Sequence, residues 1–325
     1  MITLASDFGS PYPAAMKGVI LRRTGARLVD VAHDLPRGDV RAAAFWLRFV
    51  LPEFPPAVHL AVVDPGVGTG RAALVVRAGE HVLVGPDNGM LLPAARALAA
   101  GDDGSTGTGA VGSAGSGAGA GAPASAGATG ADADRSGPEA GGRDASGARL
   151  TCYTVEYDDP DSATFHGRDV FAPAAATAHR AVADGSVVGS APGSADVDAG
   201  AGTGSGWTPD ALDDVEGFVP AEAAVDCRFP DPVVEADRAL AEVLVVDGFG
   251  NAVTNLPGEV LAAHEAVVVD GERVPVAETF AAVDPGGALA TVGSHGNVEL
   301  DVNDGRGDER FGLAPGDAVE LRFVD

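Results

Sequence analysis

Short apolar runs and helical patterns take turns through the first hundred residues, and this alternation limits what the chain can become. ITLAS, RLVDVA, AVHLAVVD and HVLVG are too short for helices, whereas PAAMKGVILRRTG, DVRAAAFWLRFVL and NGMLLPAARALAA repeat their apolar residues at helical spacing. Strands alternating with helices make an α/β layer structure with a mainly parallel sheet. Asp39 is expected to N-cap the second helix and Gly25 to C-cap the first. Towards the C-terminus the pattern changes to short strands, AEVLVVD, NAVTNL, EAVVVDG, ERVPVA, LATVGS, NVELDVN and AVELRFV, broken by Gly, Asn and Asp turns. These read as a smaller all-β domain, a sandwich or barrel.

Two stretches interrupt this order. Residues 101–149 are almost wholly Gly, Ala, Ser, Thr and Asp without one aromatic residue, so nothing there offsets the entropy of ordering the backbone. A flexible insertion is expected. Residues 189–214 share that composition and follow a helical pattern, where an interdomain linker would fall. The expected organisation is therefore an α/β catalytic domain over 1–188 carrying the 101–149 insertion, a flexible linker over 189–214, and a β-barrel-like domain over 215–325.

Charge narrows the partners. With 21 basic and 47 acidic residues the formal charge is −26, which repels phosphate backbones and anionic lipid surfaces, so neither nucleic acid nor membrane is expected as a partner. No apolar run approaches the roughly 18 residues needed to cross a bilayer, and the opening MITLASDFG lacks a secretory pattern, which leads to the expectation of a cytoplasmic protein. Lys17 is the only lysine in the chain, and an acid-rich surface almost without lysine suggests a halophilic source. Self-repulsion among these carboxylates should be relieved as the Debye length falls from about 30 Å at 0.01 M to about 3 Å at 1 M salt. The thermal midpoint is accordingly expected to rise steeply from dilute buffer to molar KCl; a flat profile would count against the crowding. The two cysteines, Cys152 and Cys227, fit neither a zinc spacing nor a disulfide framework and read as small buried hydrophobes.

Three apolar strands of the first half run into polar ends: Asp7, Asp64, and the pair Asp87 and Asn88. The carboxyl ends of parallel strands share one edge, where ligands bind, although each such Asp also suits the turn that follows it. DPGVGTGR (64–71) is neither a dinucleotide fingerprint nor a Walker loop, since Arg71 leads into AALVVRAGEHVLV, a hairpin pattern, and Lys17 lies on a helix. It reads as a rigid turn that fixes Asp64 and returns Arg71 towards it, either as a structural ion pair or as part of a site. TFHGRDVFAP (164–173) presents His166 beside Arg168 and Asp169, with Asp169 a candidate helix cap and His166 either a base or a structural histidine. In the second half DGFGN and GSHGN offer the aromatic face of Phe249 and the polar groups of Asn251, Ser294 and His295, which suit a planar base as well as they suit hairpin turns.

Together these segments resemble the S-adenosyl-L-methionine hydrolases, also described as hydroxide adenosyltransferases and related to the fluorinases and chlorinases. The matching strings are TLASDFG (3–9), MKGVI (16–20), VDVAHDLPRGDVRAAAFWL (29–47), VHLAVVDPGVGTGR (58–71), PDNGML (86–91), TFHGRDVFAPAAA (164–176), VDGFGNAVTNL (246–256) and GSHGNVEL (293–300), in the family's order. The resemblance implies an N-terminal α/β domain, a barrel-like C-terminal domain, and a homotrimer whose substrate lies between subunits. It further implies that Asp64, Arg71 and His166 position and activate a water, and that Asp7 binds the ribose hydroxyls. Phe249 and Asn251 would lie near the adenine, with Ser294 and Glu299 as further substrate-holding residues. No metal and no cofactor is implied, S-adenosyl-L-methionine being the substrate. The expected reaction is its hydrolysis to adenosine and L-methionine. The rivals are halide attack at the same carbon, against which the Asp64, Arg71 and His166 set argues, and a non-catalytic binder of adenosine or S-adenosylmethionine. An α/β methyltransferase is disfavoured by the absence of a glycine-rich strand-to-helix loop.

Overall fold

The structure is a computed structural model that describes residues 1–102, 150–184 and 206–325. The chain forms two compact units, which divide after Cys227. In the first unit the elements are β1 (Ile2–Ser6), α1 (Tyr12–Leu21), β2 (Leu28–Ala32), α2 (Val40–Val50), β3 (Val58–Val62), β4 (Ala73–Ala78), β5 (His81–Pro86), α3 (Leu91–Asp102), β6 (Leu150–Val155), α4 (Ala172–Asp184) and β7 (Phe218–Pro220). They build one sheet in the order β2-β1-β3-β5-β4-β6-β7. Strands β2, β1, β3 and β5 run parallel, with Ile2 facing Leu28 on one side and Val58 on the other. The hairpin read in AALVVRAGEHVLV is β4–β5, and it turns the rest of the sheet antiparallel.

Alternation along the strands sends side chains to two cores. Ile2, Leu4, Val58 and Leu60 pack with Met16 and Ile20 of α1 and with Ala175 and Ala178 of α4. Ala5, Ala61 and Leu83 pack on the opposite side with Leu47 of α2 and with Leu92 and Ala95 of α3. This is the expected α/β layering. Asp39 caps α2 as its position suggests, its carboxylate accepting the Ala42 N–H at 2.9 Å. Gly25 does not cap α1. The helix stops at Leu21, where the N–H groups of Arg23 and Thr24 both turn back to the Ile20 carbonyl at 2.8 and 3.0 Å. The Thr24 hydroxyl is then held by His179 Nδ1 of α4 at 3.0 Å.

The expected boundary also moves. Residues 206–214, read from composition as the end of a linker, fold onto the first unit: the Trp207 indole donates to the Glu80 carbonyl at 2.7 Å, and Leu212 is fully buried in a 3-10 turn over Pro209–Asp214. Arg77 of β4 pairs with Asp210 at 2.7 Å, and β7 then joins the sheet beside β6. A few apolar and charged anchors settle a segment whose average composition is that of a linker. The expected insertion and residues 189–205 lie outside the described residues, apart from the end of α3. Cys152 is buried as expected, its thiol pushed up to about 12 by burial, while Cys227 is half-buried.

The second unit comprises β8 (Val233–Val234), β9 (Arg238–Val246), β10 (Ala252–Pro257), β11 (Ala266–Val269), β12 (Glu272–Pro275), β13 (Ala288–Val292), β14 (Asn297–Val302), the short α5 (Gly307–Phe311) and β15 (Ala318–Val324). Its antiparallel sheet has the order β12-β11-β15-β9-β10-β14-β13, with β8 added on β9. The chain just past β12 bridges back to β13, Val276 opposite Ala290, which brings the two ends of the sheet together as a small barrel. Val243, Leu256, Val267, Leu300 and Leu321 fill it.

Candidate active site

The parallel strands place Asp7 just past β1, His33 just past β2 and Asp64 two residues past β3, all at the carboxyl edge of the sheet. The loops after β1 and β2 are stitched together: the Leu35 N–H donates to the Ser6 carbonyl at 3.2 Å and the Gly9 N–H to the His33 carbonyl at 2.8 Å. Gly38 N–H donates to Asp7 Oδ2 at 2.7 Å and fixes that carboxylate.

The Asp64 side chain is only 5% exposed. Its Oδ1 accepts the Gly66 N–H at 3.0 Å and lies 3.1 Å from Arg71 Nε. That Nε is buried without an aligned hydrogen bond, so the contact is one of charge more than of direction. Two glycines of the loop, Gly66 and Gly68, are explained by close approach. A Cβ on Gly66 would stand 2.3 Å from Arg71 Nη2, and one on Gly68, whose φ is +82°, would stand 2.7 Å from the Ala163 carbonyl. They let Arg71 fold over the turn and the turn lie against the loop that carries His166.

His166 is buried and packs edge-on to Tyr157, with ring centroids 6.4 Å apart. It directly precedes a π-helical turn over Gly167–Phe171 that leads into α4, a distortion often found at functional positions. Asp169 is not a helix cap. Its Oδ2 accepts the Ser162 N–H at 3.0 Å and the Arg168 guanidinium grips it at 2.8 Å, which closes the loop holding His166. The electrostatics of Asp64 show that these groups share one neighbourhood. Burial pushes its carboxyl above the usual range; Arg71, the Gly66 N–H and His166 pull it back, and Asp7 adds a push of its own. Thus the structure gathers Asp7, Asp64, Arg71 and His166. It does not gather Asp87 and Asn88 with them as open ligands: the Asp87 carboxylate accepts the Val225 N–H at 2.7 Å, and the Asn88 amide donates to the Val63 carbonyl at 2.8 Å.

In the second unit Asp247 organises the DGFGN loop by accepting the N–H groups of Phe249 and Asn251 at 2.8 and 2.9 Å and the Asn251 side-chain amide at 3.1 Å. Phe249 is left 80% exposed, well beyond what a core residue shows. Ser294 is exposed, and His295 Nε2 lies 2.8 Å from the buried Glu299. Among the described residues no group of His, Cys, Asp and Glu side chains is arranged to hold a metal ion.

Residues 2–105 match the SAM hydroxide adenosyltransferase N-terminal domain and residues 241–320 the C-terminal domain of the same family. The (R)-S-adenosyl-L-methionine hydrolase of Salinispora tropica is 36% identical, over 98% of this chain and 97% of the relative. This chain belongs to the SAM hydroxide adenosyltransferase family. A second relative of the same printed name, from Thermus thermophilus, is 36% identical over 97% of both chains. A solved structure from Thermotoga maritima, at 26% identity, superposes with a TM-score of 0.67 and covers 99% of this chain and all of its own.

Two features of this adenosyltransferase-family chain escape a reading by motif. Asp301 on β14 is fully buried and neither of its carboxylate oxygens accepts an aligned hydrogen bond. The signal was present in the period of the strand, which puts Asp301 on the same face as Glu299. The other is the pair of partners of His33, Ser6 of β1 and Asp30 of β2, the latter held in turn by Lys17 of α1.

Proposed function

We propose that this chain hydrolyses S-adenosyl-L-methionine to adenosine and L-methionine by attack of an activated water at the ribose C5′. The observation that carries this reading is the enclosed Asp64 carboxylate held against Arg71 at 3.1 Å, within the field of His166 and Asp7. The sulfonium makes neutral methionine a good leaving group, so the carbon needs no general acid. It needs an in-line water with hydroxide character, and bulk water has a pKa of about 15.7. A carboxylate raised by burial is a stronger proton acceptor than one in solvent, and a guanidinium beside it offsets the negative charge that develops on the water oxygen. Asp64 and His166 therefore serve as acceptors and Arg71 as the compensating charge. Asp7 holds the ribose hydroxyls, Phe249 and Asn251 the adenine, and Ser294 and Glu299 the remaining polar groups of the substrate. A homotrimer in the cytoplasm, from a salt-rich source, is part of the same proposal. What the structure adds here is that no helix among the described residues is long and apolar enough to cross a membrane.

Product analysis in molar salt tests the reaction. Adenosine is expected in a yield equal to methionine release in molar KCl, with little change when potassium acetate replaces KCl at equal ionic strength. A carboxylate beside C5′ repels chloride and favours an uncharged water. Formation of 5′-chloro-5′-deoxyadenosine as the main product would overturn the hydrolase in favour of a halide adenosyltransferase, and recovery of intact substrate would leave a binding protein.

A further inference from the structure

Behind Asp7 runs a chain of side-chain contacts that the proposed reaction does not use. Ser6 Oγ, fully buried at the end of β1, lies 2.7 Å from His33 Nδ1. His33 Nε2 lies 3.0 Å from Asp30 Oδ1, and Asp30 Oδ2 accepts from Lys17 Nζ of α1 at 2.6 Å. A carboxylate can only accept, so the proton on the imidazole belongs to Nε2; in the neutral ring Nδ1 is then an acceptor, and the Ser6 hydroxyl donates to it. The direction of donation is thereby fixed: Ser6 donates to His33, and His33 and Lys17 both donate to Asp30. Lys17 is the sole lysine among 21 basic residues, and its compact ammonium sits where this chain ends.

We propose that His33 is a positioning residue for Asp7, locking the end of β1 through Ser6 to the 33–38 loop whose Gly38 N–H aims the Asp7 carboxylate. This rests on the proposed role of Asp7 in holding the ribose hydroxyls. The geometry favours positioning over nucleophilic use of Ser6, because a hydroxyl with no exposed surface cannot meet a substrate carbon. A carboxylate aimed at two vicinal hydroxyls loses most of its value when it swings, since hydrogen bonds weaken steeply away from alignment.

Calorimetric binding of adenosine and of 2′,3′-dideoxyadenosine to the whole chain tests the proposal, because the ratio of the two affinities reads the ribose contact and not general integrity. The wild-type protein should prefer adenosine by about 10- to 100-fold, the range expected of hydrogen bonds to a charged group. Asp7→Asn and His33→Ala should each reduce the preference to a few-fold at most. His33→Asn, whose amide oxygen takes the place of Nδ1, should restore most of it. Asp30→Ala, at a half-exposed site where folding is not at stake, should lose an intermediate share. A His33→Ala protein that binds both ligands more weakly but keeps the full ratio would overturn the proposal and make the chain a mere brace. If His33→Ala does not fold, an undiminished ratio in Asp30→Ala does the same. A wild-type protein indifferent to the hydroxyls, with Asp7→Asn unchanged, overturns the reading of Asp7 and this proposal with it.

Discussion

Asp64→Asn is expected to lower kcat by about 10²- to 10³-fold while adenosine affinity changes by no more than a few-fold, the magnitude that loss of one preorganised hydrogen-bonding group or positioned base costs. The amide has the same shape, and its oxygen can still accept the Gly66 N–H that fixes the turn. What it loses is the capacity to take a proton and the charge that faces Arg71 at 3.1 Å. Arg71 is partly exposed, so the guanidinium left behind can turn to solvent and the fold should persist. The wild-type pH profile carries the same signature. Because burial raises the Asp64 carboxyl, the acid limb of kcat/KM should fall at a pH above the ordinary carboxylate range, and that limb should vanish in the variant. Steady-state kinetics beside a melting curve settles the matter: near wild-type turnover in a folded Asn variant would remove Asp64 from the mechanism.

Why Asp64 was legible and other residues were not follows from where their partners lie. DPGVGTGR is a local structure: Asp64, Gly66 and Arg71 meet within eight residues, so their relation can be read from turn chemistry. The α/β layering and the barrel strands were likewise visible, because hydrophobic period is a local property. Asp87 and Asn88 have the same strand-end position as Asp7 and Asp64, yet they serve the backbone at Val225 and Val63. Nothing near them in sequence says so. Asp169 fails as a cap because the Ser162 N–H and the Arg168 guanidinium hold its carboxylate, and Gly25 because α1 closes on the Ile20 carbonyl before it. Trp207 sat in a segment whose mean composition hid it, and distant partners, the Glu80 carbonyl and the His179 ring, explain its place. His33 has one partner near it in sequence and one on another strand, Asp30 of β2 and Ser6 of β1.

Asp301→Asn is expected to stabilise the protein by several kcal/mol above pH 8 and by little near pH 4. The wild-type carboxyl has no exposed surface and accepts no aligned hydrogen bond at either oxygen. Burial first, then the negative charges of Glu299 and Asp247, and last a proton shared towards the Glu299 side chain, push it from the ordinary 3.8 up to about 8. A carboxyl raised in the folded state holds a proton that the unfolded chain has already released, so between about pH 4 and pH 8 the native state binds more protons than the denatured one. Stability therefore falls as pH rises through that window, and the whole penalty is present above it. At about 1.36 kcal/mol per pKa unit, a rise of this size costs several kcal/mol, on the order of half the net stability of an ordinary domain. Asparagine cannot ionise. It resembles the protonated acid in shape and polarity, so it should match wild type where that acid is neutral and exceed it where the charge must be buried. Denaturant unfolding of both proteins at pH 4.5 and pH 8.5, in the same molar salt so that the surface carboxylates are screened alike, gives the comparison directly. Profiles that run parallel from acid to base would mean that Asp301 ionises in the native state at the usual carboxylate pH, and the buried acid on β14 would have to be given up.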